Sequence, residues 1–136
     1  MINSFNITAQ TVAANNLLQF NGNNILTGCS TTQSGATTFK LNKSGFYLVT
    51  FNASAATSGT AGDVVVRLNN NGVAVPGATA IFNSSAATAI GNLSFITIIQ
   101  VRPSCCAVNN QGNLTIENAG VEAVYSLVNM TITKIG

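Results

Sequence analysis

The chain has 136 residues and a mass of 13.9 kDa, with 46% of its residues apolar, which fits one domain with a single core and leaves no room for two. Only 6% of residues are charged, five Lys or Arg against three Asp or Glu, where an ordinary soluble domain carries about 25%. The basic residues are scattered, which excludes a nucleic-acid footprint, and no apolar run reaches the ~20 residues of a spanning helix, which excludes membrane insertion by helices.

Residues 1–16, MINSFNITAQTVAANN, lack the basic and apolar regions of a signal peptide and are read as an N-terminal arm or attachment segment of the single domain 1–136. Turn signals follow at Asn21-Gly22 and Ser34-Gly35. After Thr38–Leu41 and the polar turn Lys43-Ser44-Gly45, residues 46–52 alternate. Tyr47, Val49 and Phe51 point to one face, and Phe46 and Leu48 to the other. Both faces are apolar, so the strand requires a cover on both sides. Ala53–Gly62 (ASAATSGTAG) is low in complexity and reads as a loop. In Asp63–Leu68 the residues Val64, Val66 and Leu68 face the core, with Val65 and Arg67 outward. Asn71-Gly72 then predicts a hairpin with a type I′ turn. From Asn92 to Arg102, Leu93, Phe95, Thr97, Ile99 and Val101 line one face and Ser94, Ile96, Ile98, Gln100 and Arg102 the other; Pro103 ends the run because it has no N–H to donate. Leu114 and Ile116 mark a short strand. Ala123–Ile135 alternates Val124, Ser126, Val128, Met130 and Ile132 against Tyr125, Leu127, Asn129, Thr131 and Thr133. Short strands with turn chemistry between them predict an all-β, two-sheet antiparallel sandwich or jelly roll.

Little in the composition supports catalysis. There is no histidine, which removes the commonest general base and any Ser-His-Asp triad. Asp63, Glu117 and Glu122 are the only carboxylates; Glu117 and Glu122 flank a glycine-containing turn, and the reading as a solvated turn outweighs that of a glycosidase dyad. Cys29, Cys105 and Cys106 read as small apolar side chains in a reducing compartment, ahead of a disulfide from Cys29 to one of the pair. Three thiolates without histidine fall short of a closed zinc site within one chain, so no cofactor and no metal is expected. The Asn-X-Ser/Thr matches, such as Asn52-Ala53-Ser54, follow from composition. With no Trp and both Tyr in strands that look buried, a carbohydrate site would use Asn and Thr side chains.

The stretch Thr38–Phe51, a strand, a polar turn and then Gly45-Phe46-Tyr47 leading an alternating strand, resembles the C1q/TNF-like jelly-roll superfamily. The resemblance is closest to bacterial and phage members, including the heads of collagen-like spore-surface proteins. Val64–Leu68 with its Asn-Gly turn, Asn92–Val101 and Tyr125–Ile135 continue the pattern in order, so it covers about residues 5–136. It implies a sandwich that assembles as a homotrimer, with sister chains sealing strands that are apolar on both faces; the alternative is that the chain's own loops cover the second face. Phe46, Tyr47, Val49, Phe51, Tyr125 and Leu127 are expected to provide core and threefold packing. Neither a Gly-X-Y stalk nor acidic calcium clusters accompany the domain. The function expected is a non-enzymatic structural virion protein made in the host cytoplasm: a trimeric decoration or fibre-head module on a bacteriophage particle. Its partners are itself, other virion proteins and a host surface glycan. The alternatives are a glycan- or protein-binding adhesion module and a spore-surface head domain.

Overall fold

The computed structural model describes residues 1–84, 89–103 and 112–136. They form β1 (Ile2–Asn6), β2 (Gln10–Val12), β3 (Gly22–Leu26), β4 (Thr31–Ser34), β5 (Thr38–Leu41), β6 (Gly45–Thr57), β7 (Gly62–Asn70), β8 (Val73–Ser84), β9 (Ile90–Val101), β10 (Gly112–Asn118) and β11 (Ala123–Lys134). The first sheet runs β3-β1-β11-β6-β9, with β2 also paired to β11, and the second runs β4-β5-β10-β7-β8. Every pairing is antiparallel. Neighbours in each sheet are mostly distant in sequence, as in a jelly roll, where chain halves wind together across two layers.

Strand alternation fills the space between the sheets. Tyr47, Val49 and Phe51 of β6 and Val128, Met130 and Ile132 of β11 face Phe39, Leu41, Val64, Val66, Leu68, Leu114 and Ile116, all buried. Phe20 joins edge-on to Phe39, with ring centroids 5.3 Å apart, and Phe51 stacks on Phe95 at 5.2 Å. The hairpin expected at Asn71-Gly72 is present: φ is 53° at Asn71 and 82° at Gly72, and a type I′ turn needs the left-handed region at both central residues.

Three sequence expectations are corrected. Residues 1–16 are not a detached arm, because β1 lies between β3 and β11, and Ile2 is fully buried. Ala53–Gly62 is not a loop throughout: β6 continues to Thr57, with Ala53, Ala55 and Thr57 buried. The low-complexity composition conceals a period of two, and Ala55 sits opposite the larger Tyr125 on β11. Finally, β11 does not alternate regularly. Its register on β6 shifts between Tyr125 and Leu127, so Tyr125 and Val128 both point inward while Ser126 and Leu127 are exposed. A β-bulge adds one residue and flips every side chain beyond it.

Candidate assembly interface

The two outer faces of the sandwich differ in kind. On the first sheet, β6 presents Phe46, Leu48, Thr50 and Asn52, and β9 presents Ile90, Ser94, Ile96 and Ile98. Register places Leu48 opposite Ile98 on one side and Thr133 on the other; Thr50 lies between Ile96 and Thr131 in the next row. Directly opposed side chains on one sheet face lie about 5 Å apart at Cβ, so Phe46, Leu48, Ile96 and Ile98 form one apolar patch. Phe46 is 45% exposed, Ile98 56% and Ile96 71%. The patch grades into amides and hydroxyls: Asn3 Nδ2 donates to Asn129 Oδ1 at 3.0 Å and Thr131 Oγ1 at 2.7 Å, and Ser54 Oγ donates to Asn92 Oδ1 at 2.9 Å. Leu127 lies beyond these, exposed by the bulge. No strand residue on this outer face is charged, among the described residues.

Charge gathers instead on the second sheet, whose outer face holds Lys40, Asp63, Arg67 and Glu117. Arg67 and Glu117 are opposed in register, and Arg67 Nη2 bonds both carboxylate oxygens at 2.9 and 3.2 Å. Asn83 Nδ2 donates to Asp63 Oδ1 at 2.6 Å.

The residues expected to pack around the threefold axis divide into two sets. Tyr47, Val49, Phe51 and Tyr125 are buried inside the single chain, and Phe46 and Leu127 remain exposed on the first sheet's outer face. The face also contains Ile96 and Ile98, which the sequence groups on one face of their strand without saying which face points outward and without assigning them a role; the available signal was the apolar pair itself on a two-residue period. Glu117 is held by Arg67 and Glu122 is exposed at the turn before β11. Cys29 is exposed and unpaired by disulfide; Cys105 and Cys106 lie outside the described residues. Among the described residues, no three His, Cys, Asp or Glu side chains gather as a metal site.

No protein-family model matches the chain, and no curated protein matches it in sequence. Solved structures do match. PRD1 vertex protein P5 superposes with a TM-score of 0.60 at 19% identity, over 99% of this chain and 96% of that one. Murine APRIL at pH 5.0 superposes with a TM-score of 0.62 at 8% identity, over 98% of both chains. The crystal structure of murine APRIL at pH 8.5 gives 0.56 at 9% identity, over 98% of this chain and 97% of that one. The chain has the C1q/TNF-like jelly-roll fold. In this C1q/TNF-like sandwich the Gly45-Phe46-Tyr47 motif opens β6, central to the first sheet, and sends one aromatic ring to each side of it.

Proposed function

We propose that this chain is a non-enzymatic structural virion protein, a homotrimeric decoration or fibre-head module on a bacteriophage particle. It contacts other virion proteins and contributes to attachment at the host surface. The carrying observation is the uncharged outer face of the first sheet, with Phe46, Ile96 and Ile98 exposed in one patch. Exposed contiguous apolar surface of this kind marks an interaction site, and a closed ring of sister chains buries it without leaving an open end. The likeness to a vertex protein over nearly the whole of both chains supports placement on a particle. The absence of histidine from the sequence and the engagement of Glu117 by Arg67 support a role without catalysis.

Light scattering of the purified chain tests the assembly. A trimer gives a mass three times the chain's 13.9 kDa; a stable monomer at micromolar concentration contradicts it.

A further inference from the structure

We propose that the end of the sandwich where β6 begins is a binding site for an acidic polysaccharide. The five basic residues are scattered in the sequence, and the fold brings four of them to this end. Lys43 stands in the turn two residues before Gly45, Arg102 follows the last residue of β9, and Lys134 closes β11. Register sets Gly45 opposite Val101 on one side and Tyr47 opposite Lys134 on the other, so β6 begins between two cations. Neighbouring strands lie about 4.8 Å apart, which puts the Arg102 and Lys134 backbones on the order of 10 Å from one another. Lys134 Nζ lies 2.9 Å from the point where a Gly45 Cβ would stand. Lys43 is held by the Tyr47 hydroxyl, which donates to its carbonyl at 2.6 Å and accepts from its N–H at 3.3 Å. Lys40, one residue from the end of β5, lies between Thr32 and Asn113. All four basic side chains are exposed.

The acidic side chains lie elsewhere. Asp63 and Glu122 are at the opposite end, where the Val121 N–H donates to the Asp63 carbonyl and the Ser58 N–H to the Glu122 carbonyl, both at 3.1 Å. Glu117 is engaged by Arg67. Strand β6, 13 residues long, spans roughly 40 Å between the two ends. The sequence 104–111 contains no charged residue. The Gly136 terminal carboxylate, which Lys134 Nζ meets at 2.8 Å, is offset by the Met1 ammonium at the same end. Four cations with no acidic side chain among them attract a polyanion, and the opposite end repels it. The groups around the cations select which polyanion. Thr32, Asn42, Ser44 and Asn113 place hydroxyls and amides beside Lys40 and Lys43, and these both donate to and accept from sugar hydroxyls. Phe46, the one exposed aromatic ring among the described residues, belongs to the patch that sister chains cover, which leaves no platform for stacked nucleobases.

The inference rests on the proposed attachment to a host surface glycan and gives that glycan its charge. The test is biolayer interferometry of the full-length chain on immobilised polygalacturonate, a phosphomannan, neutral dextran and a short DNA duplex, with the mass measured by light scattering on the same sample. The expected result is saturable binding to at least one acidic polysaccharide and none to dextran. That binding should weaken about tenfold when salt rises from about 50 to about 150 mM, the loss that about three ion contacts give. The triple variant Lys43→Gln/Arg102→Gln/Lys134→Gln, its circular dichroism unchanged, should bind at least about tenfold more weakly. Asp63→Asn/Glu122→Gln, several screening lengths away, should bind as the wild type does. A trimer that binds neither acidic polysaccharide overturns the basic end and leaves the assembly standing. Binding to dextran alone overturns the acidic ligand and keeps attachment to a glycan. DNA bound as tightly as the polysaccharides overturns the saccharide assignment. Binding that survives the triple variant, or that Asp63→Asn/Glu122→Gln strengthens as much as the triple variant weakens it, follows net charge and overturns the site. A monomer that binds through the three cations sustains the site and overturns the assembly.

Discussion

Gly45, Phe46 and Tyr47 carry out three separate tasks in succession. Gly45 has φ 138°, and a Cβ there would collide with the Gly136 carbonyl, which accepts from the Phe46 N–H at 3.1 Å. Only glycine permits that approach between the start of β6 and the chain's last residue. Phe46 goes to the outer face. Tyr47 goes inward, and its hydroxyl donates to the Lys43 carbonyl at 2.6 Å, closing the turn that precedes the strand. Asn118 is as constrained and was invisible in so asparagine-rich a sequence. It is fully buried; its Nδ2 donates to the Val12 carbonyl at 2.8 Å and the Val121 carbonyl at 3.0 Å, and its Oδ1 accepts from the Tyr125 hydroxyl at 3.1 Å. Asn118→Ala leaves these groups unpartnered and should lower unfolding free energy by about 2–4 kcal/mol, read from denaturant melts. Burial pushes the Tyr125 phenol well above the ordinary tyrosine value of about 10, and burial likewise raises that of Tyr47, partly offset by its contacts with Lys43. Each folded-state value lies above its unfolded value, so the neutral phenols' contribution is intact below about pH 10 and is lost as pH rises through the raised values. The melting temperature should fall above about pH 10, and the fall should be shallower in Tyr125→Phe than in the wild type.

At the scale of elements, the strands that alternate cleanly were legible and the irregular ones were not. β7 places inward the residues its period assigns, and β9 keeps Leu93, Phe95, Ile99 and Val101 together on its buried face, because a strand's side chains alternate whatever the neighbouring strand is. β6 was readable as far as Phe51 and then hidden, since Ala, Ser and Thr carry little hydrophobic contrast. The bulge in β11 lay beyond sequence because it is a property of pairing: Tyr125 keeps its place opposite Ala55 while Leu127 moves opposite Ser54. For the candidate assembly face, the grouping of Phe46 with Leu48, and of Ile96 with Ile98, on one face of each strand was legible, though not which face points outward. Their contiguity was not, because it depends on β9 pairing with β6 across a long sequence separation. Ile98→Asp tests this element. The side chain points outward, so far-UV circular dichroism should be unchanged, while a carboxylate buried between subunits is costly. The scattering mass should fall toward that of the single 13.9 kDa chain. A variant that remains fully assembled places the interface elsewhere.

At the scale of the whole molecule, four of the eight charged side chains share the outer face of the second sheet. A chain with 6% charged residues has too little charge to keep both faces apart from other proteins by repulsion. Placing Lys40, Asp63, Arg67 and Glu117 on the second sheet leaves the first sheet's outer face neutral. In the proposed assembly the neutral face meets sister chains and the charged face meets water. The mass in solution is therefore the measurement that decides the molecular organisation, since the trimer expected from the first face has no counterpart within one chain.

Composition and a two-residue period were sufficient, from sequence alone, to specify an all-β sandwich, the inward residues of its regular strands, the hairpin at Asn71-Gly72 and the poverty of catalytic groups. These follow from local chemistry: alternation, turn geometry and the presence or absence of titratable side chains need no knowledge of strand order. Only the tertiary structure decided that β1 enters the first sheet, that Tyr125 shares the core with Val128 across a bulge, that Asn118 ties three segments together and that Lys40, Asp63, Arg67 and Glu117 share one outer face. Each of those is fixed by which strands become neighbours, and residues far apart in the chain meet only after the two sheets have closed on a common core.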